Sequence, residues 1–352
     1  MDHYITKELQ WKCEQLPSLP EFVPLAKTHK KVRGSCTSIV TKRICSYIAS
    51  QSIIAEELDG DNARAVLRFT SGAVTAKIGL QLYSGEQERD LIIVEAVRLS
   101  GDALLYIREC KAILRAAKGS SSGSIDGTHR SQLRRPRHYK LLKPLPIGKY
   151  RLEESISAIE NADQLIKKDR IDAKINGWTV LCSLTTAQTS DHACATYTSK
   201  VILGVDGGET STDINMNVFQ TLFDEQEACD TDVENHLSER IRDLAFCALN
   251  NALHTLQSHR SLKSIMQENT YIESELVSLL IDRVSSAAKK PYEAYLSAAC
   301  LETIMQASAK ARQNAAQYGA QDVLMQGKYT GECFFHSLAT ASQHALVALQ
   351  VS

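Results

Sequence analysis

The chain has 352 residues, with 40 Lys and Arg against 41 Asp and Glu, 43% hydrophobic and 6% aromatic. This is ordinary globular composition, long enough for two or three domains with an ample core. Its near-zero net charge excludes a surface built throughout to embrace nucleic acid.

Residues 1–37 read as an irregular N-terminal arm, punctuated by Pro17, Pro20 and Pro24 and closed by Lys27, Lys30, Lys31 and Arg33. The arm's start lacks the apolar stretch of a secretory signal. Over about 38–55, Ile39, Ile44, Ile48 and Ile53 mark one stripe of an amphipathic helix. From 63 the period becomes two. Ala63, Ala65, Leu67 and Phe69 alternate with Arg64 and Arg68, and after Ser71-Gly72 the run Val74, Ala76, Ile78, Leu80, Leu82 does the same. That predicts a hairpin with one buried face. A third strand, Asp90–Arg98, leads through Ser100-Gly101-Asp102 into a helix with Leu105, Cys110, Ile113 and Leu114 on its apolar side.

The run GSSSGSIDGT at 119–128 is too polar to bury a core and reads as flexible. With the basic stretch after it, it makes a flexible basic linker over 119–149. Beyond the linker a helix is predicted over about 152–168, then strand-like runs near 171–185, 194–205 and 212–220. The acidic segment 224–234 ends in Thr231-x-x-Glu234, a capping-box signature. A long helix to about Gln257 follows, with the stripe Leu237, Ile241, Leu244, Ala248 and Leu256. Three more helices, near 270–288, 292–318 and 332–350, finish the chain, the second with Ala298, Ala299, Ala307 and Ala311 on its close-packing faces. The expected fold is therefore α+β: two small helix–antiparallel sheet–helix modules, at 38–118 and 150–257, followed by a C-terminal helical array at 258–352.

No apolar run approaches the ~18 residues of a membrane span. The ten cysteines contain no Cys-x-x-Cys pair. Cys45, Cys110, Cys182, Cys247 and Cys300 fall on apolar faces, where a free thiol behaves as a small hydrophobe. A reduced intracellular protein is expected, cytoplasmic or nuclear, with no metal site and no cofactor.

The stretch Arg98-Leu-Ser-Gly101-Asp102-Ala-Leu-Leu-Tyr106-Ile-Arg-Glu-Cys110-Lys-Ala-Ile113-Leu114 resembles the end of the kinase-associated-1 domain. In that family a final strand runs into Arg-x-x-Gly-Asp and then a helix with an aromatic, a Cys and an Ile. The upstream helix and strands fit in order and length, so the resemblance covers about 38–118. In physical terms, Gly101 takes the sharp strand-to-helix turn and Asp102 caps the helix. Tyr106, Cys110 and Ile113 share its buried face. The chain departs from the family in carrying no Gly-rich phosphate loop, His-Arg-Asp or Asp-Phe-Gly of a kinase, and in placing the module near its N-terminus. The resemblance then implies protein docking or anionic-lipid binding, and its signature residues are structural.

The segment Leu203-Gly-Val-Asp206-Gly207-Gly208-Glu209-Thr210 is similar to the first phosphate loop of sugar kinases, which lies between two strands. Asp206 would then handle magnesium and Thr210 would follow the loop. Glu209 stands where a third glycine belongs, and a plain hairpin turn joining strands 201–205 and 212–220 explains the same residues. His236, His254 and His259 are spaced by 18 and 5, neither of which puts two imidazoles on one helix face. Asp230-x-Asp232-x-Glu234 lacks the glycine of a calcium loop. No catalytic residue is assigned. The strongest binding candidate is the stretch 130–143, where Arg130, Arg134, Arg135, Arg137, Lys140 and Lys143 stand without an acid. It suits anionic lipid or phosphate backbones, or serves as a solvated linker. The favoured reading is a non-catalytic adaptor that docks protein partners in a larger complex. A peripheral lipid or nucleic-acid binder and a sugar-kinase-like enzyme are the alternatives.

Overall fold

The computed structural model describes residues 9–19, 25–26, 28–85, 91–119, 150–205, 208–223, 232–259 and 261–350. Among them are thirteen α-helices and one five-stranded antiparallel sheet, which makes the chain α+β with a C-terminal helical array. No helix of the described residues is long and apolar enough to cross a membrane.

The N-terminal unit runs β1 (His29–Arg33), α1 (Thr37–Ser50), β2 (Ile54–Asp59), β3 (Arg64–Ser71), β4 (Val74–Ser84), β5 (Leu91–Gly101) and α2 (Ala103–Lys118). The sheet order is β1-β5-β4-β3-β2. The period-two pattern sets its inner face: Ala65, Leu67, Phe69, Ile78, Leu80, Leu82 and Val94 meet Ile44 and Ile48 of α1 and Cys110 and Ile113 of α2. Asp102 caps α2, accepting from the Leu105 amide at 2.7 Å. Gly101 turns the chain at φ +84°, where a Cβ would lie 2.3 Å from the Thr75 carbonyl oxygen. Cys110 and Ile113 are fully buried, whereas Tyr106 is half-buried at the rim of the core.

Three expectations for this unit need correction. The arm is not irregular throughout: β1 is an edge strand whose single buried residue, Val32, is hidden among cations. The arm also sends Trp11 into the core, its indole N–H donating to the Asp59 carbonyl at 3.0 Å. Finally, the first helix stops at Ser50, and Ile53, placed on its stripe, leads into the additional strand β2, whose Glu56-Glu57 interrupts any apolar alternation.

The rest of the described chain is helical: α3 (Tyr150–Ile166), α4 (Ile171–Leu184), α5 (His192–Ile202), α6 (Gly208–Phe223), α7 (Asp232–Ser258), α8 (Leu262–Glu268), a π turn (Ile272–Leu276) running into α9 (Val277–Ser285), then α10 (Pro291–Ala307), α11 (Ala309–Gln317), α12 (Ala320–Phe334) and α13 (His336–Gln350). The strands expected near 171–185, 194–205 and 212–220 are therefore α4, α5 and α6. No second helix–sheet–helix module exists among the described residues. The buried positions explain why. Gly177, Trp178, Leu181 and Cys182 in α4, and Ile214, Val218, Phe219 and Leu222 in α6, recur at three- and four-residue intervals. Burial at helical period outweighs the β-branched content of Trp178-Thr-Val-Leu-Cys182, because β propensity is a weak, context-dependent preference.

Other boundaries also shift. The helix expected over 292–318 is two, broken at Ser308, whose hydroxyl accepts from the Ala311 amide at 3.2 Å and donates to Glu273 at 2.5 Å. Between 319 and 350, α12 and α13 form a hairpin so close that a Cβ on Gly331 would lie 2.3 Å from the Ala339 nitrogen. Helix α7 is the hub. Between Leu244 and Leu249 every residue is buried, as befits a helix surrounded on all sides. One apolar core extends from Ile159 to Ala348, and Ile54 and Ala73 of the sheet unit pack against it.

Candidate functional site

Strand β5 is eleven residues long, but β1 pairs only with Leu91–Glu95. One further bond, from the Ala96 amide to the Thr28 carbonyl at 2.9 Å, closes that pairing. From Val97 to Gly101 the strand keeps β4 on one side and has no described strand on the other. This overhang is apolar. Val97 is 41% and Leu99 45% exposed. Leu99 lies over Gly79, which offers no side chain to shield it. Arg98 lies between the two and folds back, donating to the Gly101 carbonyl at 3.1 Å. The Tyr106 hydroxyl, bonded to the Ala96 carbonyl at 3.0 Å and to Thr28 at 2.8 Å, pins α2 to the strand just before the overhang. Chemically, the overhang offers main-chain donors and acceptors in extended geometry beside alternating apolar side chains.

A second feature holds the sheet against the helices. On the outer sheet face Glu56 takes Lys77 at 2.6 Å and Arg68 at 3.0 Å, and Arg68 reaches Asp243 of α7 at 3.3 Å. Arg240 donates to the Ala73 carbonyl at the β3–β4 turn. Deeper in the same seam, Glu293 lies 3.3 Å from Arg283 and 4.0 Å from Arg242. Burial raises the Asp243 carboxyl from 3.8 to about 6, with Glu293 and Glu239 adding to it and Arg68 and Arg240 opposing. Burial likewise lowers the Arg240 guanidinium below its ordinary value. Such buried pairs add little net stability, because desolvation cancels most of the attraction, but their geometry fixes how two surfaces meet. Ser52 and Ser337 add a second tie, with the Ser337 amide donating to the Ser52 hydroxyl at 2.6 Å.

Of the residues singled out from the sequence, Arg98, Gly101, Asp102, Tyr106, Cys110 and Ile113 come together at the β5–α2 junction. Arg130, Arg134, Arg135, Arg137, Lys140 and Lys143 lie outside the described residues, as do Asp206, Gly207 and the acidic run 224–231. Thr210 falls within α6, so the segment around Asp206 is flanked by helices. The flanking strands that a β-hairpin turn or a sugar-kinase phosphate loop requires are helices α5 and α6. His254 and His259 do share a cleft, joined by His192, whose ring centroid is 5.6 Å from that of His259. His236 is elsewhere, 3.8 Å from Glu239. No group of three His, Cys, Asp or Glu among the described residues is placed to hold a metal. None of the nine described cysteines forms a disulfide, and Cys45, Cys110, Cys182, Cys247 and Cys300 are buried.

Sequence reasoning passed over Val97 and Leu99, because period-two alternation cannot tell a covered strand from an overhanging one. It also missed Asp243, for which one signal existed: Arg240, Arg242 and Asp243 interrupt the apolar stripe of α7. The chain matches no protein-family model, no curated protein and no solved structure.

Proposed function

We propose that the chain is a non-catalytic intracellular adaptor that docks an extended segment of a partner protein along Val97–Gly101. One observation carries this reading: β5 outruns β1 and leaves exposed Val97 and Leu99 on an edge with no described strand beside it. Main-chain bonds along such an edge supply affinity, and apolar side chains at alternate positions of the added strand supply specificity. The resemblance of residues 98–114 to the kinase-associated-1 domain supports a docking role for the sheet unit, its signature residues being structural. The ionic seam would hold the sheet unit in one orientation, so that a partner meets a fixed surface.

A photo-crosslinking residue at position 99 in the full chain tests the reading. It should capture a partner segment with alternating apolar residues, and Val97→Lys should suppress the capture while leaving the melting temperature unchanged. Capture that is insensitive to Val97→Lys would contradict it. A second reading, binding of anionic lipid or nucleic acid through 130–143, draws on six cations without an acid. Replacing Arg134, Arg135 and Arg137 with Glu should then abolish salt-sensitive binding to anionic vesicles or duplex DNA, and unchanged binding would remove it.

A further inference from the structure

A cleft of about 520 Å³ opens where the β3–β4 turn, Ser71–Val74, meets the α4–α5 loop and the C-terminal half of α7. Both structural units of the chain build its wall. The ionisable groups lining it are the imidazoles of His192, His254 and His259 and the thiol of Cys182. No carboxylate, ammonium or guanidinium lines it among the described residues. The remaining polar lining is hydroxyl and amide, and much of its donor capacity is committed inward. The Ser183 hydroxyl donates to the Thr179 carbonyl at 2.9 Å, Thr185 to Leu181 at 3.0 Å, and Ser258 to His254 at 2.9 Å. Thr189 donates to the Ser183 carbonyl. Donors in the lining with no inward bond include the three imidazoles, the side-chain amides of Asn250 and Gln188 and the Ser71 hydroxyl.

Acid-poor walls with imidazole donors select an anion. His192 and His259 stand edge to face at 5.6 Å, so protonating both sets like charges side by side, a repulsion that a shared anion relieves. His192 opens α5, whose N-terminal end favours negative charge. Beside His192 in sequence, Asp191 caps α5 through the Cys194 amide at 2.8 Å, and Arg240 bonds Ala73 at the β3–β4 turn.

We infer that this cleft binds a phosphate-bearing small molecule or headgroup through His192, His254 and His259. Because its wall spans the β3–β4 turn and α7, an occupant ties the sheet unit to the helices and raises the melting temperature of the whole chain.

Thermal unfolding of the full chain with inorganic phosphate, against chloride at equal ionic strength, tests this. Phosphate should raise the melting temperature above its value in chloride. His192→Gln and His259→Gln, both at exposed positions, should each remove most of the phosphate effect without changing the melting temperature in chloride. That His dependence separates the cleft from the basic stretch 130–143. Sedimentation with phosphatidic acid vesicles assigns the source. Histidine-dependent binding points to a lipid headgroup, and none, alongside a phosphate effect, points to a soluble ligand. A phosphate effect equal to that of chloride, or one retained in both variants, overturns the inference.

Discussion

Asp243 makes the junction between the two units sensitive to pH in a calculable way. Its carboxyl ordinarily titrates at 3.8 and is raised to about 6 in the folded chain, mainly by burial. A raised folded-state value means that the native state holds the proton more tightly than the unfolded state does. The stabilisation from this group is complete below 3.8 and is lost as the pH rises through about 6. The difference between 3.8 and about 6 corresponds to about 3 kcal/mol. Asp243→Asn removes the titration and leaves a residue of the same shape. Any loss of attraction to Arg68 or Arg240 enters as an offset at neutral pH, so the quantity to read is the change with pH. Urea unfolding of both proteins, followed by the fluorescence of Trp11 in the sheet unit and Trp178 in α4, gives stability at each pH. Relative to Asp243→Asn, the wild type should lose about 2.4 kcal/mol between about pH 4 and pH 7. A constant difference across that range would refute both the burial of this carboxylate and the closed seam that buries it.

Other substitutions probe the remaining joints. Trp11→Ala should cost ~3–5 kcal/mol in urea unfolding, as deletion of a buried aromatic does, and a negligible loss would detach the arm from the core. Gly101→Ala places a Cβ 2.3 Å from the Thr75 oxygen at φ +84°. It should cost more than the ~1–2 kcal/mol of a left-handed residue alone, measured the same way, while Ala at the exposed Ser100 should be near neutral. Tyr106→Ala should cost about 2–3 kcal/mol, below the value for a fully buried aromatic, because only part of the ring is covered. Tyr106→Phe should lose about 1 kcal/mol for the hydroxyl's bonds to Ala96 and Thr28.

The β3–β4 hairpin was legible because alternation from Ala63 to Leu82 leaves one face to bury, and Ser71-Gly72 marks the turn. The β5–α2 junction was equally legible, since Gly101 and Asp102 state its geometry in two residues. What failed was context. The run Trp178-Thr-Val-Leu-Cys182 reads as a strand until the surrounding helices fix its period, and β1 is an edge strand too charged to announce itself. The candidate site was half visible. Arg98, Gly101, Asp102 and Tyr106 marked the corner, but the exposure of Val97 and Leu99 depends on β1 ending its pairing at Glu95, more than sixty residues from His29 in sequence. Asp243 meets Arg68 across an even longer separation, and the three histidines of the cleft are gathered by the packing of α5 against the end of α7. Such juxtapositions are tertiary facts that no local pattern encodes.

The most direct test of the adaptor account is photo-crosslinking from position 99 compared with position 347, an exposed valine on α13 remote in sequence from β5. The account predicts capture of one extended partner segment from position 99 only, lost on Val97→Lys. Equal capture from both positions, or capture at 99 that survives Val97→Lys, would contradict it.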